Sequence, residues 1–262
     1  MYAMERHEHI LAALGRTGRV SVADLADELR VTPETIRRDL DALERAGHAR
    51  RVHGGAVSAS RVSIAETTVL ERSSRATDAK RAIAREALAL VPPTFTGSIL
   101  IDAGTTTGAL ADALAAWRPD PGVPPLTVYT NSIPIAAALH GNANLVVRII
   151  GGTVRGITSA AVGPAAVAQL AEIRPDIAFL GANGVSADFG LSTPDELEAQ
   201  IKRVMVDRAR LAVVLADASK HDDEALQRFA ALDEVDVLIT DAPPGGRLAA
   251  ALADAEVEVR VA

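Results

Sequence analysis

The sequence has no cysteine, and only three lysines against 24 arginines. Without cysteine there is no disulfide framework and no thiolate metal site, so the fold rests on its core. No apolar run approaches the roughly 18 residues of a membrane span. The opening MYAMERHEHI places charges where a signal peptide needs an apolar stretch, so a cytoplasmic protein without a membrane segment is expected. Internal repeats and low-complexity tracts are missing. So are the patterns HExxH, GxSxG and GxxxxGK(S/T), and the six histidines are scattered. His7 and His9 stand two apart on a helical pattern and cannot share a face for a metal ion. No metal, no cofactor and no catalytic residue is therefore expected. An excess of positive charge is lacking too, the net charge being −7. Residues 1–57 carry nine Arg against nine Asp and Glu, so the whole deficit falls on the remainder. Any nucleic-acid contact must come from a local patch.

What is present is a hydrophobic fraction of 48% over 262 residues, enough for one large or two ordinary domains. In the first segment, Ile10, Leu11 and Leu14 fit one face of a helix ending at Gly15 or Gly18. Ser21 is placed to cap a second helix, with Asp24 three residues on and Val22, Leu25, Ala26 and Leu29 as its apolar stripe. Thr32-Pro33 starts a third, whose stripe is Ile36, Leu40 and Leu43, ending before Gly47. Two helices joined by the tight Arg30-Val31 turn make a helix-turn-helix, and HARRVHGGAV then reads as a two-stranded wing.

At 100° per residue the third helix turns Glu34, Arg37, Arg38 and Asp41 outward. Arginine pairs bidentately with guanine or clamps phosphate, which makes Arg37 and Arg38 the groove-facing donors. Thr32 and Thr35, at the amino end of this helix, suit phosphate or thymine-methyl contacts. From Arg45 to Val57 the chain holds Arg45, His48, Arg50, Arg51 and His53 with no acid, which is the local patch. The candidate contacts to double-stranded DNA are thus Ser21, Thr32, Glu34, Thr35, Arg37, Arg38, Arg50, Arg51 and His53. The competing reading, a plain solvated amphipathic helix over 32–47, is weakened by the adjoining helix, the Thr-Pro restart and the basic hairpin.

Residues 58–75 read as a linker. From 76 to 262 helix and strand alternate: strands at 98–102, 126–129, 145–150, 176–180, 211–216 and 235–240, and helices at 76–90, 106–116, 132–140, 159–171 and 194–209, before a last helix and strand. That alternation predicts a mostly parallel sheet covered by helices. Ligand loops in such sheets follow strand carboxyl ends. Here those loops hold Asp102, Gly104, Thr105, Thr106 and Thr107, then Asn131, Gly152, Gly181, Asn183 and Gly184, and finally Lys220; Lys202 lies on the helix that follows Thr193-Pro194-Asp195. Hydroxyls and amides suit phosphate oxygens, Asp102, Asn131 and Asn183 suit sugar hydroxyls, and the two lysines supply charge. Each loop taken singly is equally an ordinary turn, since turns recruit the same residue types.

The run RVSVADLADELRVTPETIRRDLDALERAGHARRVHGGAV resembles the DNA-binding domain of DeoR-family transcription regulators. KRAIAREAL, IDAGTTT, TNS, GGTVRG, FLGANGV and VVLADASK follow in the order of that family's C-terminal sensor domain, so the likeness spans the chain. FLGANGVSADFGLSTPD and IKRVMVDRARLAVVLADASK are most similar to the fructose-operon repressors. The resemblance implies a winged helix-turn-helix over 1–57 and, over 76–262, an α/β sensor similar in fold to sugar-phosphate isomerases. It further implies a repressor of a sugar operon relieved by a phosphorylated sugar, with fructose 1-phosphate implied by the subgroup. A homo-oligomer, dimer or tetramer, is expected because one helix-turn-helix contacts few bases. An isomerase or deaminase with an accessory DNA-binding domain is the alternative. Those enzymes carry acids in the loop that here reads GANG, with neutral Asn183, which counts against catalysis. A structural DNA-binding protein with a vestigial sensor is the third class.

Overall fold

The computed structural model describes residues 3–17, 19–46, 48–52, 54–58 and 76–262. The chain divides into two compact units, 1–63 and 64–262. Residues 59–75, most of the expected linker, lie outside the described residues.

In the first unit the order is α1 (Ala3–Thr17), β1 (Arg19–Ser21), α2 (Val22–Leu29), α3 (Pro33–Arg45), β2 (Ala49–Val52) and β3 (Gly55–Ser58). α1 runs past Gly15 to Thr17, and the wing has three strands rather than two, because Arg19, Val20 and Ser21 pair antiparallel with β3. Ile10, Leu14, Leu25, Ile36, Leu40 and Ala56 close one core between helices and wing. The apolar stripes of α2 and α3 are buried as their spacing predicts. Arg30 ends α2 in the left-handed region, φ 53°, which makes the turn into α3 tight.

The second unit is built on seven parallel strands in the order β15 (Glu258–Val261), β14 (Val237–Thr240), β12 (Ala212–Leu215), β9 (Ile177–Gly181), β4 (Ser98–Ile101), β5 (Leu126–Thr130) and β6 (Leu145–Ile149). Helices cover both faces. α4 (Thr77–Leu88), α5 (Thr105–Leu114) and α6 (Ile133–Leu139) pack on one, with Ile83, Leu110 and Ile135 meeting Ile99 and Ile101. α7 (Pro164–Ala171), α8 (Glu196–Arg208) and α9 (Gly246–Asp254) pack on the other, with Leu170, Ile201 and Leu248 in the cluster that holds Leu100. Alternate residues of β4 thus enter opposite cores, which is why its sequence is apolar throughout.

Two small antiparallel sheets complete the unit: β7 (Thr153–Arg155) with β8 (Ala160–Val162), and β10 (Gly184–Ser186) with β11 (Gly190–Thr193) and β13 (Gln227–Ala230). The helix expected over 159–171 is therefore shorter. Ala160–Val162 pair with β7, and Gly163, at φ 92°, turns the chain into Pro164 at the start of α7. No helix among the described residues is long and apolar enough to cross a membrane. From β4 the chain runs outward to β5 and β6, then returns to place β9 on the other side of β4. The direction of winding reverses between β4 and β9, and the crevice at their carboxyl ends is where open α/β sheets bind ligands.

Candidate functional site

The DNA-reading face is carried by α3. Thr32 caps it, its Oγ1 accepting from the Thr35 amide at 3.2 Å, with Pro33 in the first turn. Thr32 and Thr35 hydroxyls lie 2.9 Å apart, and Ser21 caps α2 by accepting from Ala23 and Asp24 amides. Arg37 and Arg38 point outward as expected, yet both meet Glu34, at 3.2 and 3.8 Å. Arg51 donates to Asp41, and its amide donates to Glu44 at 2.8 Å. Arg50 pairs through its backbone with Val57; its side chain, like all of His53, lies outside the described residues.

Sequence reasoning missed Asp39. It is buried on α3 and accepts from Arg6 at 2.7 and 3.1 Å, with the His7 ring at 3.0 Å. The hydrogen bond to Asp39 holds the Arg6 guanidinium above its ordinary pKa, against the cost of burial. α1 is thereby fastened to the reading helix. His9 turns instead to Glu28, at 2.9 Å, so the two histidines of α1 do face apart.

In the second unit Asp102, Gly181 and Lys202 meet at the β4/β9 crevice and hold one another. Asp102 is ion-paired with Lys202 of α8, and both side chains are 3–4% exposed. Lys202 also donates to the Gly181 carbonyl at 2.9 Å, its ammonium lies 5.5 Å from the Phe229 ring centroid, and the Gly181 amide donates to Asp102 at 3.2 Å. Asn131 accepts from the Ala103 amide at 3.2 Å and donates to the Ala161 carbonyl at 3.1 Å. Asn183 accepts from the Thr193 hydroxyl at 3.2 Å. Gly152 and Gly184 are required by backbone packing, since a Cβ there would come within 2.6 Å of the Val162 carbonyl and 2.3 Å of the Asp223 carbonyl. Lys220 closes a short 3-10 turn, Ala218–Lys220, after β12.

Beside these loops a cleft of about 660 Å³ opens between α4, α5 and α6. Of the residues read as ligand contacts, Gly104 and Thr105 line it. The first-turn amides of Thr105, Thr106 and Thr107 have no partner within the helix, as at any helix start. Thr107 adds a fully buried hydroxyl with no hydrogen-bond partner among the described residues. A Cβ at position 104 would lie 3.0 Å from that hydroxyl and within 4 Å of no other heavy atom, so glycine leaves the helix mouth open. Facing it on α4 are Thr77, Lys80, Arg81 and Arg85, and Asp112 of α5, Ser132 and Thr158 complete the polar lining.

The α4 cations were not singled out as ligands by sequence reasoning. The available signal was the rarity of lysine, of which Lys80 is one of three. Thr158 donates to Glu198 at 2.5 Å, and Arg155 meets Glu198 at 2.6 Å and Asp195 at 3.2 Å, so the cleft wall is tied to the start of α8. No cluster of three or more His, Asp or Glu able to hold a metal ion occurs among the described residues.

Comparison with known proteins gives two family matches in chain order. The DeoR-like helix-turn-helix domain matches residues 6–62, and the DeoR C terminal sensor domain matches residues 75–242. The HTH-type transcriptional regulator GlpR of Haloferax volcanii is 37% identical over 242 residues, covering 92% of this chain and 91% of that one. The HTH-type transcriptional regulator FruR of Bacillus subtilis is 34% identical, with 92% of each chain covered. The glycerol-3-phosphate regulon repressor of Escherichia coli is 30% identical over 261 residues, with 100% of each covered. Among solved structures, a D-ribose-5-phosphate isomerase in complex with phospho-erythronic acid matches at 17% identity and a TM-score of 0.41, over 56% of this chain and 55% of that one. With both domains matched in order and relatives aligned over nearly their whole lengths, the chain belongs to the DeoR family of helix-turn-helix transcriptional regulators.

Proposed function

We propose that this regulator represses a sugar-catabolic operon and is released from its operator by a phosphorylated sugar bound in the cleft of the second unit. The observation that supports this most directly is the start of α5, where Gly104 and Thr105 line the cleft with Lys80 and the buried Thr107 hydroxyl beside Gly104 has no partner among the described residues. Amides at a helix start, reinforced by the helix dipole and a nearby cation, are a phosphate seat. On this reading Thr105, Thr106, Thr107 and Lys80 hold the phosphate. Asp102 and Lys202, paired with each other, and Asn131 and Asn183, bonded to Ala103, Ala161 and Thr193, set the shape of the loops around the sugar. The domains act as 1–57 for DNA and 76–262 for the effector, in a homo-oligomer that matches paired half-sites.

Such a ligand relieves repression only if it binds the released arrangement more tightly than the DNA-bound one. Names among the relatives, a glycerol-3-phosphate regulon repressor and a regulator called FruR, choose the first probes: glycerol 3-phosphate and fructose 1-phosphate. Each is tested for a rise in Tm, for release of a promoter duplex and for turnover. At 100 times its Kd a ligand adds about 2.7 kcal/mol, an easily read shift. A Tm rise with release and no turnover is the expected result. Turnover without release would transfer the cleft to an enzyme. Replacing Thr105 and Thr106 by Val should leave DNA binding intact and abolish release; if release survives, the phosphate sits elsewhere.

A further inference from the structure

The outward cations of α3 do not face solvent unopposed. Glu34 reaches both Arg37, at 3.2 Å, and Arg38, at 3.8 Å, and the three side chains are 61%, 51% and 81% exposed. Pairs this exposed add little to stability. They do reduce the attraction for phosphate, the term that gives duplex binders most of their sequence-independent affinity. A carboxylate on the reading helix is therefore a cost to affinity, although in the first turn it also complements the helix dipole.

Its position says where that cost is offset. Glu34 follows Pro33 in the first turn of α3, and the amino-terminal residues of a reading helix are the ones that meet base edges. A carboxylate held between two phosphate walls is repelled unless the groove floor offers it a donor. In the major groove the amine at N4 of cytosine is the donor that pairs with a carboxylate. We propose that Glu34 is a specificity-determining residue of the DNA interface, which reads a cytosine and otherwise keeps Arg37 and Arg38 engaged. Where the cytosine amine is present, the carboxylate turns to it and frees the two guanidiniums for guanine or phosphate. Where it is absent, Glu34 stays unpaired on the duplex or holds the arginines back, and binding is weak either way.

This inference rests on the DNA-binding role of the first unit, and the test separates the two. Full-length wild type, Glu34→Ala and Glu34→Gln are each used to select from a duplex library with about 20 random base pairs, two helical turns. Affinities are then measured on the winning duplex and on a shuffled one of the same composition, at about 50 and 200 mM salt. The wild type is expected to enrich cytosine at one position of each half-site. Glu34→Ala should lose that preference alone, and Glu34→Gln should move it toward adenine, the base a carboxamide pairs with. Both variants should bind the shuffled duplex about tenfold more tightly at low salt, with a steeper salt dependence. The ratio of winning to shuffled affinity should fall about tenfold or more. An unchanged base preference, or an equal gain on both duplexes, would show that Glu34 contributes only bulk charge and would overturn the proposal. If the wild type enriches no sequence, the DNA-reading role falls and the proposal with it.

Discussion

Replacing Lys202 by Met keeps most of the side chain's length and removes the ammonium that faces Asp102. The two side chains are 4% and 3% exposed, so water cannot take the lysine's place. Among the described groups Asp102 would keep one donor, the Gly181 amide at 3.2 Å. Breaking a buried ion pair from one side costs about 3–5 kcal/mol, because the remaining charge stays desolvated. For a domain of this size each kcal/mol is about 2–4 °C, so Tm should fall by roughly 6–20 °C. Adding Asp102→Asn removes the stranded charge with almost no change of volume, and the double variant should regain more than half of the loss. Calorimetry on the wild type, both single variants and the double gives the coupling energy directly as a double-mutant cycle. A Lys202→Met chain within about 1 kcal/mol of wild type, unimproved by Asp102→Asn, would refute the reasoning. The ammonium would then be dispensable to the fold and available to a bound phosphate, the role its residue type alone suggests.

Thr107→Val removes a buried hydroxyl that has no partner among the described residues, a group whose desolvation costs about 1–3 kcal/mol. The ligand-free protein should keep or gain Tm while the shift produced by an effector shrinks; a lower ligand-free Tm would show that the hydroxyl already has a role in the fold. Burial lowers the His221 pKa below its ordinary 6.5, against the pull of Asp222, Asp241 and Asp217, and its Nε2 lies 3.0 Å from the Thr240 hydroxyl. The folded state therefore favours the neutral ring: the stability is full above about pH 6.5 and is lost as pH falls through the lowered folded value. His221→Asn should flatten the fall of Tm with acid in that window, and an unchanged slope would exclude the ring as its source. Asp39→Asn should loosen α1 from α3, lowering Tm by several degrees and weakening binding to any duplex that the wild type selects. Full affinity in that variant would show that the Arg6 contact does not place the reading helix.

The parallel sheet is legible because strands buried on both faces must be apolar throughout. Ile99-Leu100-Ile101, Ala212–Leu215 and Val237-Leu238-Ile239 all stand out by that rule. The small antiparallel strands are not. Ala160-Ala161-Val162 suits a helix as well as a strand, and pairing with Thr153–Arg155 decides it. β10, β11 and β13 are runs of three or four residues whose register is made by partners up to about 40 positions away, beyond any local pattern.

The same divide runs through the candidate sites. Residue types mark Asp102 and Lys202 as polar groups at strand ends, but neutralisation is a property of pairs, and these two are 100 positions apart in the chain. Ranking Lys202 as a free cation follows from seeing one half of the pair. Lys80 looks like an ordinary charge on an amphipathic helix, and only the fold shows it buried in the wall of the cleft at the start of α5. At the DNA face one compensation can be read from sequence and another cannot. Glu34 stands three and four residues before Arg37 and Arg38, the spacings at which helix side chains meet, so this pairing needs no tertiary information. Asp41 meets Arg51 only because the chain leaves α3 and returns in β2. The cations of a reading surface can therefore be counted from sequence, whereas its net charge requires the fold. Here that difference turns an apparently basic reading surface into one where Glu34 and Asp41 oppose Arg37, Arg38 and Arg51.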